Sequence, residues 1–154
     1  TQTSGLVIEV GGRKIAIYAN SRRHAGENID ELLKARSAEL GRPIQMADEL
    51  AANWSGQEET VEAKCLAHAR RKFIDIERAF PVECGRVLDA IAEVYRVEAE
   101  TEGMSAQERL ERHQVRSGPV MSELCEWIEE EFAERRTEPN SSLGQAFRYM
   151  LRHW

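Results

Sequence analysis

The sequence lacks any run of about 18 apolar residues, the length that a helix needs to cross a bilayer, so a membrane protein is not expected. It is also poor in cysteine: Cys65, Cys84 and Cys125 are widely spaced and form no Cys-x-x-Cys pair. An odd number without such a pair argues against a disulfide framework and against a four-cysteine zinc site. The reducing cytoplasm is therefore the expected compartment.

A positive charge balance is lacking as well. Lys and Arg number 21 against 27 Asp and Glu, which gives a net charge of -6 and a pI near 5.3. This balance excludes a protein whose whole surface binds nucleic acid, because phosphate contact requires clustered Lys and Arg. Any DNA contact must be local, and basic residues do cluster at 22–24, 70–72 and 109–116, while the acidic excess lies at 93–102 and 123–134.

What the sequence does contain is enough for one ordinary domain, since 154 residues can bury roughly 70% of the surface that the unfolded chain exposes. Gly11-Gly12 between two alternating apolar segments predicts a β-hairpin of residues 6–10 and 14–18. Apolar residues at helical spacing predict a helix over 27–40, with Gly41 as its C-terminal stop.

Two short strands are predicted next, 44–47, which ends on Asp48, and 60–65. From residue 66 onward the pattern predicts helices over 66–80, 82–102, 105–116, 119–135 and 142–154. Ser105 and Glu108 have the form of a capping box, and Ser141-Ser142 can cap the last helix. The predicted fold class is α/β, with a sheet-based core over 1–65, a helical insertion over 66–137, and residues 138–154 returning to the core.

Asp48 is the first candidate for chemistry. An Asp after a short apolar strand is more often a loop or capping residue, but the C-terminal end of a strand is where open α/β sheets place their ligand crevices. A hard cation such as Mg2+ prefers oxygen ligands, and one carboxylate cannot hold it alone. Glu49 offers no obvious second ligand, because adjacent side chains in an extended segment point to opposite faces.

Cys65 and His68 are three residues apart, which places them on one face of a helix. Zinc would need two further ligands, and none of His24, His113 or His153 forms a matching pair. A structural pair is therefore favoured over a metal site, and a cysteine nucleophile has no orienting third group.

Arg70, Arg71 and Lys72 follow this pair directly. They are either a solvated helix face or a contact to phosphate, and Arg22 and Arg23 are further candidates for DNA contact. Most aromatic residues fall at core spacings. Trp54 does not, since it lies in a polar loop, and its role stays open.

Four stretches carry a family resemblance: residues 24–28 (HAGEN) leading to Leu33, residues 43–48 (PIQMAD), residues 65–73 (CLAHARRKF), and residues 138–144 (EPNSSLG) running to 149–154 (YMLRHW). In this order and spacing the chain resembles, over nearly its whole length, the bacterial insertion-sequence transposases of the IS-sixty-six type, which belong to the DDE class.

The resemblance implies an RNase H-like mixed sheet, interrupted after its fifth strand by an all-helical insertion. The predicted order of strands and helices fits that plan with the first strand missing. By the family pattern Asp48 is the second acid of the Asp-Asp-Glu triad, with the first Asp expected upstream of Thr1 and the Glu downstream of Trp154. The chain is then an internal fragment of the catalytic domain, inactive alone. Cys65 and His68 resemble a Cys-x-x-His that supports the site.

The mechanism implied by the resemblance is two-metal phosphoryl transfer. Two Mg2+ or Mn2+ ions about 4 Å apart activate water and then the freed 3'-hydroxyl, and they stabilise the leaving oxygen. Asp48 would hold these ions, zinc is not expected, and Arg70, Arg71 and Lys72 would contact phosphates of the transposon ends or target DNA. The intact enzyme is expected to act as a homo-oligomer.

Two alternatives stay open. A decayed or repurposed relative would be a DNA- or protein-binding module that uses the acidic helices of residues 82–135, and it would tolerate loss of the flanking acids. A different RNase H-like nuclease is disfavoured by the helical insertion and by the loop at 138–143.

Overall fold

The computed structural model describes residues 2–36, 39–48, 50–56 and 59–154, and it has a mixed α/β fold. The chain divides into two compact units, residues 1–65 and 66–154. We refer to the first as the sheet unit and to the second as the helical unit.

The sheet unit begins with an antiparallel hairpin of β1 (Gln2–Val10) and β2 (Arg13–Ser21). Gly11 and Gly12 connect the strands with φ angles of 56° and 74°. A two-residue turn that matches the strand twist needs positive φ at both central residues, which glycine adopts readily. The predicted hairpin is confirmed, and both strands are longer than the apolar pattern indicated.

After α1 (Ala25–Lys34), strands β3 (Ile44–Ala47) and β4 (Val61–Lys64) form a parallel pair. Both strands are confirmed, since β3 has the predicted bounds and β4 lies within the predicted range. A short 3-10 helix, Ala51–Asn53, lies in the connection between them. Across the described residues β1 pairs with β2 and β3 with β4, in two separate two-stranded sheets.

The helical unit consists of α2 (Leu66–Ile74), α3 (Pro81–Glu100), α4 (Ala106–Ala133) and α5 (Ser142–Arg152). All four helices contribute buried apolar side chains to its core. The ring of Phe147 on α5 has its centroid 5.9 Å from that of Phe73, 5.4 Å from that of Trp127 and 6.1 Å from that of Phe132. Because aromatic side chains dominate core energetics, this cluster holds α5 against α2 and α4.

Two helices end earlier than the pattern predicts. Helix α1 ends at Lys34, so the prediction of helix over 27–40 with Gly41 as its stop is wrong at residues 35, 36, 39 and 40, while residues 37–38 lie outside the described part of the chain. The Arg36 guanidinium donates hydrogen bonds to the backbone oxygens of Leu40 (3.1 Å) and Gly41 (2.5 Å). The prediction over 66–80 is wrong beyond Ile74, where turns lead directly into α3.

Helix α4 is continuous where the sequence predicts two helices, 105–116 and 119–135, so that prediction is wrong. Pro119 lies inside it, although proline lacks a backbone N–H and its ring crowds the preceding residue. That residue is Gly118, which has no Cβ to be crowded. The carbonyl oxygen that lacks its usual donor belongs to Val115, which is 72% exposed, so water can reach it.

Both predicted helix caps are confirmed. Ser105 Oγ accepts from the Glu108 N–H at 3.3 Å while the Glu108 carboxylate accepts from the Ser105 N–H at 2.8 Å. Ser141 Oγ accepts from the Gly144 N–H at 3.0 Å. A Cβ atom at Gly144 would lie 2.3 Å from the backbone oxygen of Glu138, so the turn into α5 requires glycine there. Within the described ranges, no helix is both long and apolar enough to span a bilayer.

Candidate functional site

Asp48 directly follows β3, at the C-terminal end of a strand in the parallel pair. Its Oδ1 atom accepts two hydrogen bonds, from the backbone N–H of Leu50 at 3.1 Å and from the side-chain amide of Asn53 at 2.7 Å. The first is the bond of an Asx-turn, and the second ties the carboxylate to the 3-10 helix. Since Asp48 is half-buried, its carboxylate is oriented and still partly accessible.

Trp54, whose role the sequence left open, holds the same loop through its indole ring. Nε1 donates a hydrogen bond to the backbone oxygen of Asp48 at 2.8 Å. Lys64 Nζ, at the end of β4, lies 3.7 Å from the centroid of the Trp54 ring in a cation–π contact. Trp54 thus connects the C-terminal ends of the two parallel strands.

Gln45 on β3 supports the loop from beneath. Its side chain is buried, and Nε2 donates to the backbone oxygen of Asn53 at 2.9 Å. Its Oε1 accepts from the backbone N–H of Ser55 at 3.3 Å and from the hydroxyl of Thr60 at 3.4 Å. A buried amide needs partners for both its donor and its acceptor, and here the loop supplies all of them.

The first turn of α1 packs against this loop. A Cβ atom at Gly26 would lie 2.0 Å from the backbone oxygen of Trp54, closer than any real contact. Asp30, one turn further along α1, accepts a hydrogen bond from the hydroxyl of Ser55. The glycine of the 24–28 stretch is therefore a packing requirement of the loop that carries Asp48.

The residues that the structure describes contain no group of three or more His, Cys, Asp or Glu side chains arranged to hold a metal ion. Asp48 is a suitable oxygen ligand for Mg2+, which needs about six ligands in near-octahedral geometry. Glu49 lies outside the described residues. Cys65 follows β4 in the chain and is half-buried, and His68 is exposed in the first turn of α2.

The basic candidates lie in both units. In the sheet unit Arg22 and Arg23 are exposed before α1, and Arg23 forms an ion pair with Glu31. The hydrogen bond to Glu31 raises the pKa of the Arg23 guanidinium, so this cation is already engaged within the chain. In the helical unit Arg70, Arg71 and Lys72 are each exposed on α2.

One arrangement that the sequence did not reveal links α3 to α4. His113 Nδ1 lies 2.8 Å from Ser117 Oγ, and His113 Nε2 lies 2.9 Å from Glu98 Oε2. The three residue types match a nucleophilic triad, but Ser117 is only 6% exposed, so a substrate cannot reach its hydroxyl. The hydrogen bond to His113 lowers the pKa of the Glu98 carboxyl. This is an interhelical clamp, and only the His-to-Ser spacing of four residues was visible in the sequence.

The chain belongs to the IS66 transposase family, whose model, described as Transposase IS66 family, matches residues 6–154. The resemblance drawn from the four sequence stretches is thereby confirmed.

Three curated relatives come from Sinorhizobium fredii (strain NBRC 101917 / NGR234). The "Uncharacterized protein y4jD" is 40% identical over 93 residues, which is 60% of this chain and 18% of the relative. The "Uncharacterized protein y4qI" is 32% identical over 99 residues (63% and 18%), and the "Uncharacterized protein y4hP" is 31% identical over 106 residues (60% and 19%). The matched part of the chain thus spans under a fifth of each relative's length. No solved structure gives a significant match.

Proposed function

We propose that this chain is part of the catalytic domain of a longer DDE transposase, in which Asp48 is the second acid of the Asp-Asp-Glu triad. The observation that carries the proposal is the placement of Asp48 at the C-terminal end of β3, beside the parallel strand β4. That edge of a sheet is where open α/β folds bind ligands. Family membership supplies the reaction class, which is cleavage and joining of DNA strands.

The strand order supports an RNase H-like plan. An antiparallel hairpin, a helix and then a parallel strand pair follow one another along the sheet unit. The two sheets share no ladder in the described ranges, which fits a plan whose first strand comes from outside residues 1–154. In this proposal residues 66–137 of the helical unit are the insertion that follows the last strand, and residues 138–154 lead back to the core. The first Asp and the Glu belong to flanking segments of the full-length protein.

The loop around Asp48 has the rigidity that a metal ligand needs. Asn53 and the Leu50 N–H orient the carboxylate, while Gln45 and Trp54 hold the backbone on either side. Outer partners of this kind fix a ligand and strengthen its binding. Two divalent ions at such a site would activate the attacking hydroxyl and stabilise the leaving oxygen. Asp48 alone cannot hold them, so the 154-residue chain is inactive without the other two acids.

The experiment that tests the proposal compares two isosteric variants of the full-length protein. Asp48→Asn is expected to reduce Mg2+-dependent strand cleavage by more than about a hundredfold, beyond the 10–100-fold effect of losing an outer partner. DNA binding should be nearly unchanged. Asp89→Asn, the same change at an exposed position of α3, should cleave normally. Normal cleavage by Asp48→Asn would remove Asp48 from the site.

A second candidate is a decayed relative that binds protein through α3 and α4. The observation that favours it is their acidity, since α3 carries five acids and α4 seven. The flanking sequence decides between the two, because the active enzyme requires an Asp and a Glu outside residues 1–154 and the binding module does not.

A further inference from the structure

Charge is segregated among the four helices of the helical unit. Helix α2 carries Arg70, Arg71 and Lys72 and no acid, and α5 carries Arg148 and Arg152 and no acid. Helices α3 and α4 hold twelve acids against five arginines, from the five acids of α3 and the seven of α4. A chain with a net charge of -6 therefore keeps two helices that are basic throughout.

The two basic helices pack together. The rings of Phe73 on α2 and Phe147 on α5 lie 5.9 Å apart in the core. At the surface, Lys72 Nζ lies 4.8 Å from the centroid of the Tyr149 ring. Arg148 precedes Tyr149 and Arg152 follows it by one turn, and both are exposed. Lys72 of α2 thus contacts the tyrosine that lies between Arg148 and Arg152 in the sequence of α5.

The cations of α2 and α5 differ from the arginines of α3 and α4 in their ion pairing. Every arginine of α3 and α4 is paired with a glutamate, for example Arg109 with Glu98 and Arg112 with Glu100. No carboxylate in the described part of the chain forms an ion pair with Arg71, Lys72, Arg148 or Arg152. The positive charge of α2 and α5 is therefore available to an external anion.

Helical geometry decides which residues of α2 share this surface. At 3.6 residues per turn, Arg71 lies about 100° from Lys72 around the helix, and Arg70 lies about 160° from it. Arg71 therefore lies nearer than Arg70 to the Lys72 side of the helix, and Arg70 lies on nearly the opposite side. We define the α2–α5 basic surface as Arg71, Lys72, Tyr149, Arg148 and Arg152.

We propose that the α2–α5 basic surface binds the phosphodiester backbone of duplex DNA without reading the bases, an inference that rests on the proposed function for its choice of partner. Four cations on two neighbouring helices match closely spaced phosphates, and contacts to phosphate carry no sequence information. The Tyr149 ring holds the Lys72 ammonium in place by a cation–π contact.

The test measures the affinity of the 154-residue chain for a labelled duplex as a function of NaCl concentration. Four phosphate contacts predict a slope of about -3.6 for log K against log salt concentration. Replacing Arg148 and Arg152 together by Ala should reduce the magnitude of that slope by about 1.8 and weaken binding at low salt. Replacing both by Lys should restore most of the slope, because charge rather than geometry makes the contact.

The matched control is the double replacement of Arg109 and Arg112 by Ala, which removes the same charge from paired positions on α4. Its salt slope should equal that of the unchanged chain. Arg71→Ala should reduce the magnitude of the slope more than Arg70→Ala does. An unchanged slope for the Arg148 and Arg152 variant, or an equal change in the control, contradicts the proposal. So does stronger binding to duplex RNA, or to polyglutamate, than to duplex DNA.

The result of this DNA-binding test can be distinguished from the result of the cleavage test of Asp48. If Asp48→Asn cleaves normally but the double Ala variant of Arg148 and Arg152 shows the reduced salt slope, the catalytic proposal fails and the basic surface stands. If Asp48→Asn is inactive and the arginine variant binds normally, the surface proposal alone fails.

Discussion

The indole nitrogen of Trp54 donates a hydrogen bond to the backbone oxygen of Asp48 at 2.8 Å, and the same ring lies under the ammonium group of Lys64. The peptide that follows β3 is therefore held from one side by Trp54, while the carboxylate of Asp48 is held by Asn53. Main chain and side chain of the candidate ligand are fixed by two consecutive residues.

Trp54→Phe should loosen this loop, because phenylalanine keeps an aromatic ring near Lys64 but has no donor for the Asp48 oxygen. A net hydrogen bond is worth about 1 kcal/mol, so amide hydrogen exchange in the region 44–56 should become roughly fivefold faster. Trp154→Phe is the control, since Trp154 is exposed at the end of the chain. Unchanged exchange in Trp54→Phe would mean that the bond does not hold the loop.

Gly26→Ala should destabilise the sheet unit, because the added methyl group would meet the backbone oxygen of Trp54 at 2.0 Å. Overpacking of this kind costs about 1–3 kcal/mol, and here the obstacle is backbone rather than a flexible side chain. Gly41→Ala, where nothing lies within 4 Å of the new atom, should be within about 1 kcal/mol of the unchanged chain. Urea titration followed by circular dichroism measures both, and equal midpoints would contradict the packing argument.

The clamp between α3 and α4 should weaken in acid. The hydrogen bond to His113 lowers the pKa of Glu98 below its ordinary value, so the bond stabilises the fold above that ordinary value. This contribution is lost as the pH falls through the lowered pKa. Between pH 5 and pH 3, a range of about one unit either side of an ordinary Glu pKa, the melting temperature of the unchanged chain should fall. The melting temperature of Glu98→Gln should fall by less over the same range.

The control for this pH dependence is Glu126→Gln, an exposed acid of α4. It should follow the unchanged chain over the same pH range. A larger fall in melting temperature for Glu98→Gln than for the control would have the opposite sign to the expected effect and would contradict the prediction.

Local patterns predicted the elements whose geometry is set locally. Gly11-Gly12 specifies the hairpin turn, the apolar run of β3 specifies that strand, and Ser105 with Glu108 specifies the start of α4. The continuation of α4 through Pro119 was missed, because local propensity favours a break and the tertiary packing that overrides it is not visible in the sequence.

The candidate site could likewise be predicted from the sequence only in part. Asp48 at the end of β3 follows from the strand pattern and from the family resemblance. Its hydrogen bonds to Asn53 and Trp54 do not, because they depend on how the 3-10 helix folds back over β3. Likewise the packing role of Gly26 appears only when α1 is placed against the loop, since no periodic pattern distinguishes a close backbone approach from an ordinary helical glycine.

Iron-directed cleavage of the full-length protein tests most directly whether Asp48 holds a catalytic metal ion. Fe2+ that replaces Mg2+ generates hydroxyl radicals in the presence of ascorbate and peroxide, and these cut the polypeptide close to the bound ion. We predict cuts in the Asp48 loop, residues 44–56, that disappear in Asp48→Asn and in excess Mg2+ but persist in Asp89→Asn. The absence of cuts at this loop, or cuts at this loop that survive Asp48→Asn, would contradict the assignment of Asp48 as a metal ligand.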